Sequence, residues 1–506
     1  MITELRNEGG FLMSNVIIIG SGIGGLLAGN LLAREGHQVT IFESHKMPGG
    51  YTGGFWRKGF YFESGTLSFE TSSMVFAAME DLGLLDQISF TRQHTRWVNK
   101  EIDGSMQSYE EFKKMIFSAY PEAIFQLEKY FAEVDKMYYA ILPFIKNEKE
   151  AFFPKVLSYI TAGFKMAGLY RKYSDLTLGE FTERFFDKDS KICRFFKSIG
   201  YPNMAAFLLG GAMASIFDDY WTVAKGMQSW ADLLSDNFKK LGGELRLNSY
   251  VDKILTKNCR AIGVLCNKLV YSADYLIAAG DYKKTFLQLL DDRSAVPAEF
   301  LAKVEKAVVS EGIVTAYLGL SLSNAELEKY LKLPHVFYLE DEPGAELLEA
   351  EDREYFKRAG INLYAPSLHH PGLAPEGKSS LMIQTIAPTR WMKNWGNGDH
   401  ELYRRLKAEV LEVLIDKAGE LIPKLRDYIE FADLATPLTY EKYTHNTAGA
   451  TSAWSWNPQK KFYKNFIKSQ VETPIKNLYT GSCWSMQIGG VPGAISAAYA
   501  CAKRIK

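Results

Sequence analysis

The chain is poor in the residues that build disulfide frameworks and metal sites. Its 506 residues include five cysteines, Cys193, Cys259, Cys266, Cys483 and Cys501, and eight histidines. No CxxC, HExxH or other ligand spacing occurs among them, so no metal site is expected. Unpaired thiols of this number fit a reducing, cytoplasmic setting. Neither sign of charge is in excess. The 59 Lys and Arg balance 59 Asp and Glu, which gives no bulk attraction to nucleic acid. No run of about eighteen apolar residues occurs, so no spanning helix is expected. Residues 1–14 lack the basic start and apolar core of a signal peptide. No Ser-His-Asp pattern or carboxylate pair suggests itself as a catalytic device.

What the chain does hold is a glycine-rich stretch near its start, NVIIIGSGIGGLLAGNLLAREGHQVTIFESHKMPGG. Val16 to Ile19 reads as a buried parallel strand. Gly20, Gly22, Ile23, Gly24 and Gly25 follow at once. Gly20 permits the tight turn, Gly22 lets backbone approach a pyrophosphate, and Gly25 lets the next helix pack closely on the strand. That helix is expected over Leu26–Glu35, stopped by Gly36. Its N-terminus offers free N–H groups and a positive dipole end to phosphate. Val39 to Phe42 is the second strand and ends at Glu43, the place for an acid that holds ribose hydroxyls. Ser44, not arginine, follows it, which favours a free 2′-hydroxyl and so FAD or NAD over NADP. Lys46, then Gly49, Gly50 and Tyr51, form a second glycine cluster. A plain NAD domain returns to another helix here. A second Gly-Gly turn suits a longer cofactor lying along backbone amides.

Further along, the segment 59–65 reads as a strand, 72–85 as a helix, and 89–107 as a strand pair turning at Asp103-Gly104. Helical patterns then run from Tyr109 to about Phe217. Within them, residues 152–172 mix large apolar groups with Lys155, Lys165, Arg171 and Lys172. Such a segment either lies in a bilayer interface or is a core-facing helix with a solvated basic face. A helix over 228–240 and short strands to 280 follow, closing on an apolar run with Ala279 and Gly280. Central strands are expected at 314–321 and 381–386, and a helix at 401–415. The chain ends with a strand to Gly481 and Ser482, then Gly490, Val491 and Ala494 opening a helix of small residues.

Together these motifs resemble those of the two-dinucleotide-binding flavoproteins, and over nearly the whole chain those of the phytoene desaturase, carotenoid isomerase and retinol saturase family of FAD enzymes. The resemblance rests on the first glycine stretch, on WTVAKGMQSWADLLSDNFKKLGGELRLNSYVDKI at 221–254, on APEG at 374–377, on the stretch 436–449, and on GGVPGA at 489–494. It implies an α/β fold in which a Rossmann-like FAD domain is interleaved with an α+β substrate domain whose helical part is a membrane-facing candidate. The nucleotide parts would be 14–90, 218–285 and 471–506, and the substrate parts 91–217 and 286–470. Val251 would present backbone groups to adenine. Three positions depart from the family pattern: Lys225-Gly226 for Gly-Gly, Ser482 for Asp after Gly481, and Tyr51 where Arg or Cys is frequent.

The implied activity is FAD-dependent oxidoreduction at carbon–carbon bonds of a long apolar isoprenoid or polyene, by desaturation, saturation or isomerisation. Its partners would be that lipid and, through 152–172, the surface of a membrane. The polar groups weighed for catalysis are Tyr364, His369, His370, Tyr443 and His445, none of them chosen. Two rival readings stand beside this one. An amine oxidase-like flavoenzyme would flank its flavin with aromatics such as Tyr51 or Trp484. A prenyl-binding carrier of the GDP-dissociation-inhibitor type would use no flavin.

Overall fold

The computed structural model describes residues 13–145, 152–201, 203–339, 352–388, 390–466 and 468–505. Most of the stretch weighed as a leader lies outside these residues, as do the side chains of 152–160 in the basic segment.

The nucleotide-type core is a five-stranded parallel sheet. Its strands are β1 (Asn15–Ile19), β2 (Gln38–Phe42), β3 (Glu244–Arg246), β4 (Tyr275–Ala278) and β5 (Leu478–Thr480), in the spatial order β5-β4-β1-β2-β3. Three distant pieces of chain therefore close one sheet, with Ile17 opposite both Thr40 and Leu276. The apolar run 16–18 is buried on both faces, as a central parallel strand must be. Three helices cover the sheet: α1 (Ile23–Arg34), α2 (Gln228–Lys240) and α3 (Gly490–Ala502). Helix α1 starts three residues earlier than its apolar pattern predicts. Gly22 is extended at φ −64°, ψ 172°, and the helix begins directly behind it, so the glycines form its first turn. A Cβ on Gly25 would lie 2.1 Å from the Gly20 carbonyl oxygen, and one on Gly24 2.3 Å from that of Gly481. Only glycine lets α1 sit this close to β1 and β5.

The second layer is a seven-stranded sheet in the order 429–435, 312–320, 379–387, 361–364, 335–338, 95–98, 103–106. It is antiparallel except where His335–Tyr338 runs parallel to Thr95–Val98. Here the expected Asp103-Gly104 turn is corrected: both residues belong to the last strand. The chain reverses at 99–102 instead, because the Asn99 side chain accepts the amides of Glu101 and Ile102 at 2.9 and 2.8 Å. Arg96 then pairs with Asp103 across the hairpin at 2.7 Å. The segment 59–65 is likewise half of a hairpin, Gly54–Arg57 with Phe60–Glu63.

Helices between Tyr109 and Asp218 form the third layer, with an aromatic core of their own around Phe112, Tyr130, Phe131 and Phe196. The strand Phe90–Arg92 pairs with Trp221–Val223, so the helical layer is held between two neighbouring strands at its base. A three-stranded meander spans 251–257, 260–266 and 269–272. All five cysteines are free thiols. No helix among the described residues is long and apolar enough to cross a membrane.

Candidate functional site

A cleft of about 1260 Å³ runs along the carboxyl ends of the parallel strands and on toward the seven-stranded sheet. That exceeds the ~300–1,000 Å³ of a site for one small ligand. Gly20, Gly22, Ile23, Gly24, Glu43, Ser44, Lys46, Gly49, Gly50, Tyr51, Val251, Ala279, Gly280, Ser482, Gly490, Val491 and Ala494 all line it. Residues from four separate stretches of sequence thus meet on one surface. Gly25 and Gly481 do not line it. They serve the close packing of α1 described above.

Two helix N-termini open into this cleft. Helices α1 and α3, of 12 and 13 residues, begin at Gly22 and Gly489 with no side-chain cap. Their first amides must find partners elsewhere, and a phosphate or an anionic ring is a suitable one. A Cβ on Gly22 or Gly280 would meet nothing within 4 Å, whereas neighbouring glycines are tightly packed. The bare backbone at these two positions faces open cleft, which is the cradle a pyrophosphate needs.

Glu43 stands at the end of β2. Its Oε2 accepts the Ser21 amide at 2.8 Å and the Ser21 hydroxyl at 2.7 Å, and its Oε1 accepts the His45 amide at 2.8 Å. The acid therefore braces the first glycine turn while facing the cleft. The carboxylate missing from Ser482 has a counterpart one strand over. Asp281 follows β4, lines the cleft, and accepts the amides of Lys284 and Thr447, each at 2.6 Å. Burial raises its pKa. Ser482 itself donates to the Gly280 carbonyl at 2.8 Å and ties the two strand ends together. Sequence reasoning passed over Asp281, although an Asp directly after Ala279-Gly280 is an N-cap signal.

Beyond Gly50 the wall turns aromatic. Tyr51 stacks on Tyr440 with centroids 5.4 Å apart at 10° and donates to the Gly449 carbonyl at 2.9 Å. The Tyr440 hydroxyl is in turn bonded to Thr315 at 2.6 Å and Tyr317 at 3.2 Å. Phe55, Phe431, Leu434 and Leu438 continue the surface. Burial raises the Tyr440 hydroxyl's pKa and pushes those of Tyr51 and Tyr317 well above the ordinary phenol value.

Of the five polar groups weighed for catalysis, three lie away from the cleft. Tyr364 is buried with its hydroxyl 3.3 Å from Thr222, and His370 accepts the Gly372 amide in a turn. His369 is enclosed, and burial lowers its pKa to about 4. Tyr443 and His445 do line the cleft, but at the Glu43 end, beside His45 and Tyr250. Among the described residues, no group of three His, Cys, Asp or Glu is placed to hold a metal.

Fold and site together define a dinucleotide-binding flavoprotein. The chain belongs to the flavin containing amine oxidoreductase family, whose pattern matches residues 23–506. It is an FAD-dependent oxidoreductase. It is similar to prolycopene isomerase 2 of an Oncidium hybrid cultivar, at 24% identity over 97% of this chain and 83% of that protein. It is also similar to all-trans-retinol 13,14-reductase of Danio rerio, at 24% identity over 97% and 87%. Among solved structures, a putrescine oxidase variant shares the fold with a TM-score of 0.63 at 15% identity, covering 97% of this chain and 98% of its own. An oxidoreductase from Methanosarcina mazei does so at 0.62 and 15%, covering 96% and 99%.

Proposed function

We propose that this flavoenzyme acts on carbon–carbon single or double bonds of a long apolar polyene or isoprenoid. The observation that carries the reading is that every acid lining the cleft is already engaged. Glu43 holds Ser21 and His45, and Asp281 holds two amides. Asp399 caps the helix 400–419, and Asp433 pairs with Lys407 at 3.3 Å. Each of these carboxylates already has a protein partner, and Glu43 and Asp281 stand at the strand ends beside the glycine turns rather than on the aromatic wall. Nor does Tyr51 form an aromatic sandwich for an ammonium group. Its partner Tyr440 is 5.4 Å away, and a guest between two rings needs ~7 Å, twice an ordinary contact distance. What remains is a wall of ring faces whose hydroxyls are bonded within the protein, suited to an apolar chain. The relatives named for prolycopene isomerisation, retinol reduction and diapophytoene desaturation point the same way.

Bound FAD supplies hydride transfer. The chain's own part is to hold the cofactor on the α1 and α3 amides, keep Glu43 against the glycine turn, and exclude water with the aromatic wall. The test is to incubate a panel of linear polyenes with the oxidised and the reduced holoenzyme. A shifted absorption maximum or a new isomer by chromatography supports the reading. Unchanged polyenes in both flavin states reject it.

We further propose that the helical layer touches a membrane. Phe164 is 78% and Phe125 64% exposed, and Lys165, Arg171 and Lys172 are exposed close to Phe164 in sequence. Replacing Phe164 and Lys165 with Ser and Gln should weaken co-sedimentation with anionic liposomes. Unchanged sedimentation rejects the contact.

A further inference from the structure

Glu70 follows the strand Phe60–Glu63 and reaches toward the start of α3. Its Oε1 stands 3.9 Å from the point that a Cβ on Gly490 would occupy. Gly490 lines the cleft, has φ +65°, and is the first residue of a helix with no side-chain cap. Gly490 therefore borders both the cleft and this carboxyl, with the Pro492 ring 3.6 Å from the same point.

Among the described residues, no cation contributes to the field at Glu70. Among them, the charged group whose field shifts it is Asp219, of the same sign, and burial is the larger effect. Burial first, opposed by a bond to its own backbone amide and aided by Asp219, pushes its pKa up to about 7. Asp219 is itself committed to Ser72, whose amide it accepts at 2.9 Å, and to the Trp221 indole at 3.0 Å. The remaining titratable neighbours are phenols with partners of their own. Tyr201 bonds Ser452 at 2.9 Å, and Tyr220 meets His335 at 3.4 Å. Burial raises both phenols and lowers His335, so none of them carries charge near neutrality. Glu70 is thus a carboxyl beside the start of α3 whose charge changes near neutrality.

We propose that Glu70 is a positioning residue that sets the charge met by the flavin at the N-terminus of α3. Neutral, it leaves the Gly490 and Val491 amides and the positive helix end to the negatively charged reduced cofactor. Ionised, it competes with that charge for the same helix end. This role rests on the FAD assignment and is independent of the substrate class.

The test uses the FAD-loaded protein and its Glu70→Gln and Glu70→Asp variants. The flavin reduction potential is measured against reference dyes from pH 5.5 to 8.5. Wild type and Glu70→Gln should agree at pH 5.5 and diverge above pH 7, with the variant at the higher potential. Glu70→Asp should keep the break and move it to another pH. If Glu70→Gln does not fold, the displaced break in Glu70→Asp carries the test. Parallel curves in the folded variants overturn the proposal and leave the cofactor assignment standing. A wild-type protein that holds no FAD overturns both.

Discussion

Glu43 and Ser21 are bonded twice, through the Ser21 amide at 2.8 Å and its hydroxyl at 2.7 Å. The acid proposed to hold the cofactor's ribose also fixes the first glycine turn. Glu43→Gln should therefore weaken FAD binding about tenfold, ~1.4 kcal/mol, through both effects. Ser21→Ala keeps the amide bond and should cost less. Titrating the apoprotein with FAD and following flavin fluorescence ranks the two.

Gly22 and Gly24 lie two residues apart and should fail differently. Gly22 is extended, at an ordinary φ of −64°, and a Cβ there enters open cleft. Gly22→Ala should fold with an unchanged melting temperature and lose FAD. Gly24→Ala places a Cβ 2.3 Å from the Gly481 carbonyl and should destabilise the apoprotein by several kcal/mol. Thermal unfolding with and without FAD separates binding loss from folding loss.

Glu63 is fully buried, accepts from Tyr61 at 2.7 Å and from the Met227 amide at 3.1 Å, and has its pKa raised by burial to about 8. The native state thus holds a proton that the unfolded chain releases near the usual carboxyl value of ~4.3. Stability from this group is full below that value and is lost as pH rises toward and through 8. The melting temperature should fall between about pH 5 and 8 and level off above, and Glu63→Gln should flatten the fall. An identical slope in the variant refutes the assignment.

The Tyr440 hydroxyl links Thr315 and Tyr317 behind the ring that Tyr51 stacks on. Tyr440→Phe keeps the stack and leaves those partners short of a bond. It should cost about 1 kcal/mol of stability with FAD affinity retained, read by denaturant unfolding and flavin titration.

What could be read from sequence was what backbone chemistry imposes locally. Gly20 and Gly25 were legible because the tight turn and the close helix packing leave no room for a side chain, and Gly22 because a phosphate cradle asks for bare backbone; such needs show as residue types at fixed spacing. Asp103-Gly104 misled because Asn99, four residues earlier, makes the tighter turn with its own side chain. Tyr443 and His445 were placed among substrate groups because nothing local tells which end of a cleft a helix will reach. The fold sets 437–444 beside His45. Tyr440 and Tyr317, 123 residues apart, and Glu70 beside Gly490 meet only through tertiary packing, which leaves no spacing to read.

The central claim is a flavin site built for an apolar chain and not for an amine. The most direct measurement is the visible spectrum of the oxidised holoenzyme, mixed anaerobically with a primary diamine and, separately, with each polyene of the panel, followed by chromatography of the polyenes. The predicted result is a flavin left unbleached by the diamine and at least one polyene altered by the oxidised or the reduced enzyme. A flavin bleached by the diamine, with every polyene recovered unchanged, would contradict it.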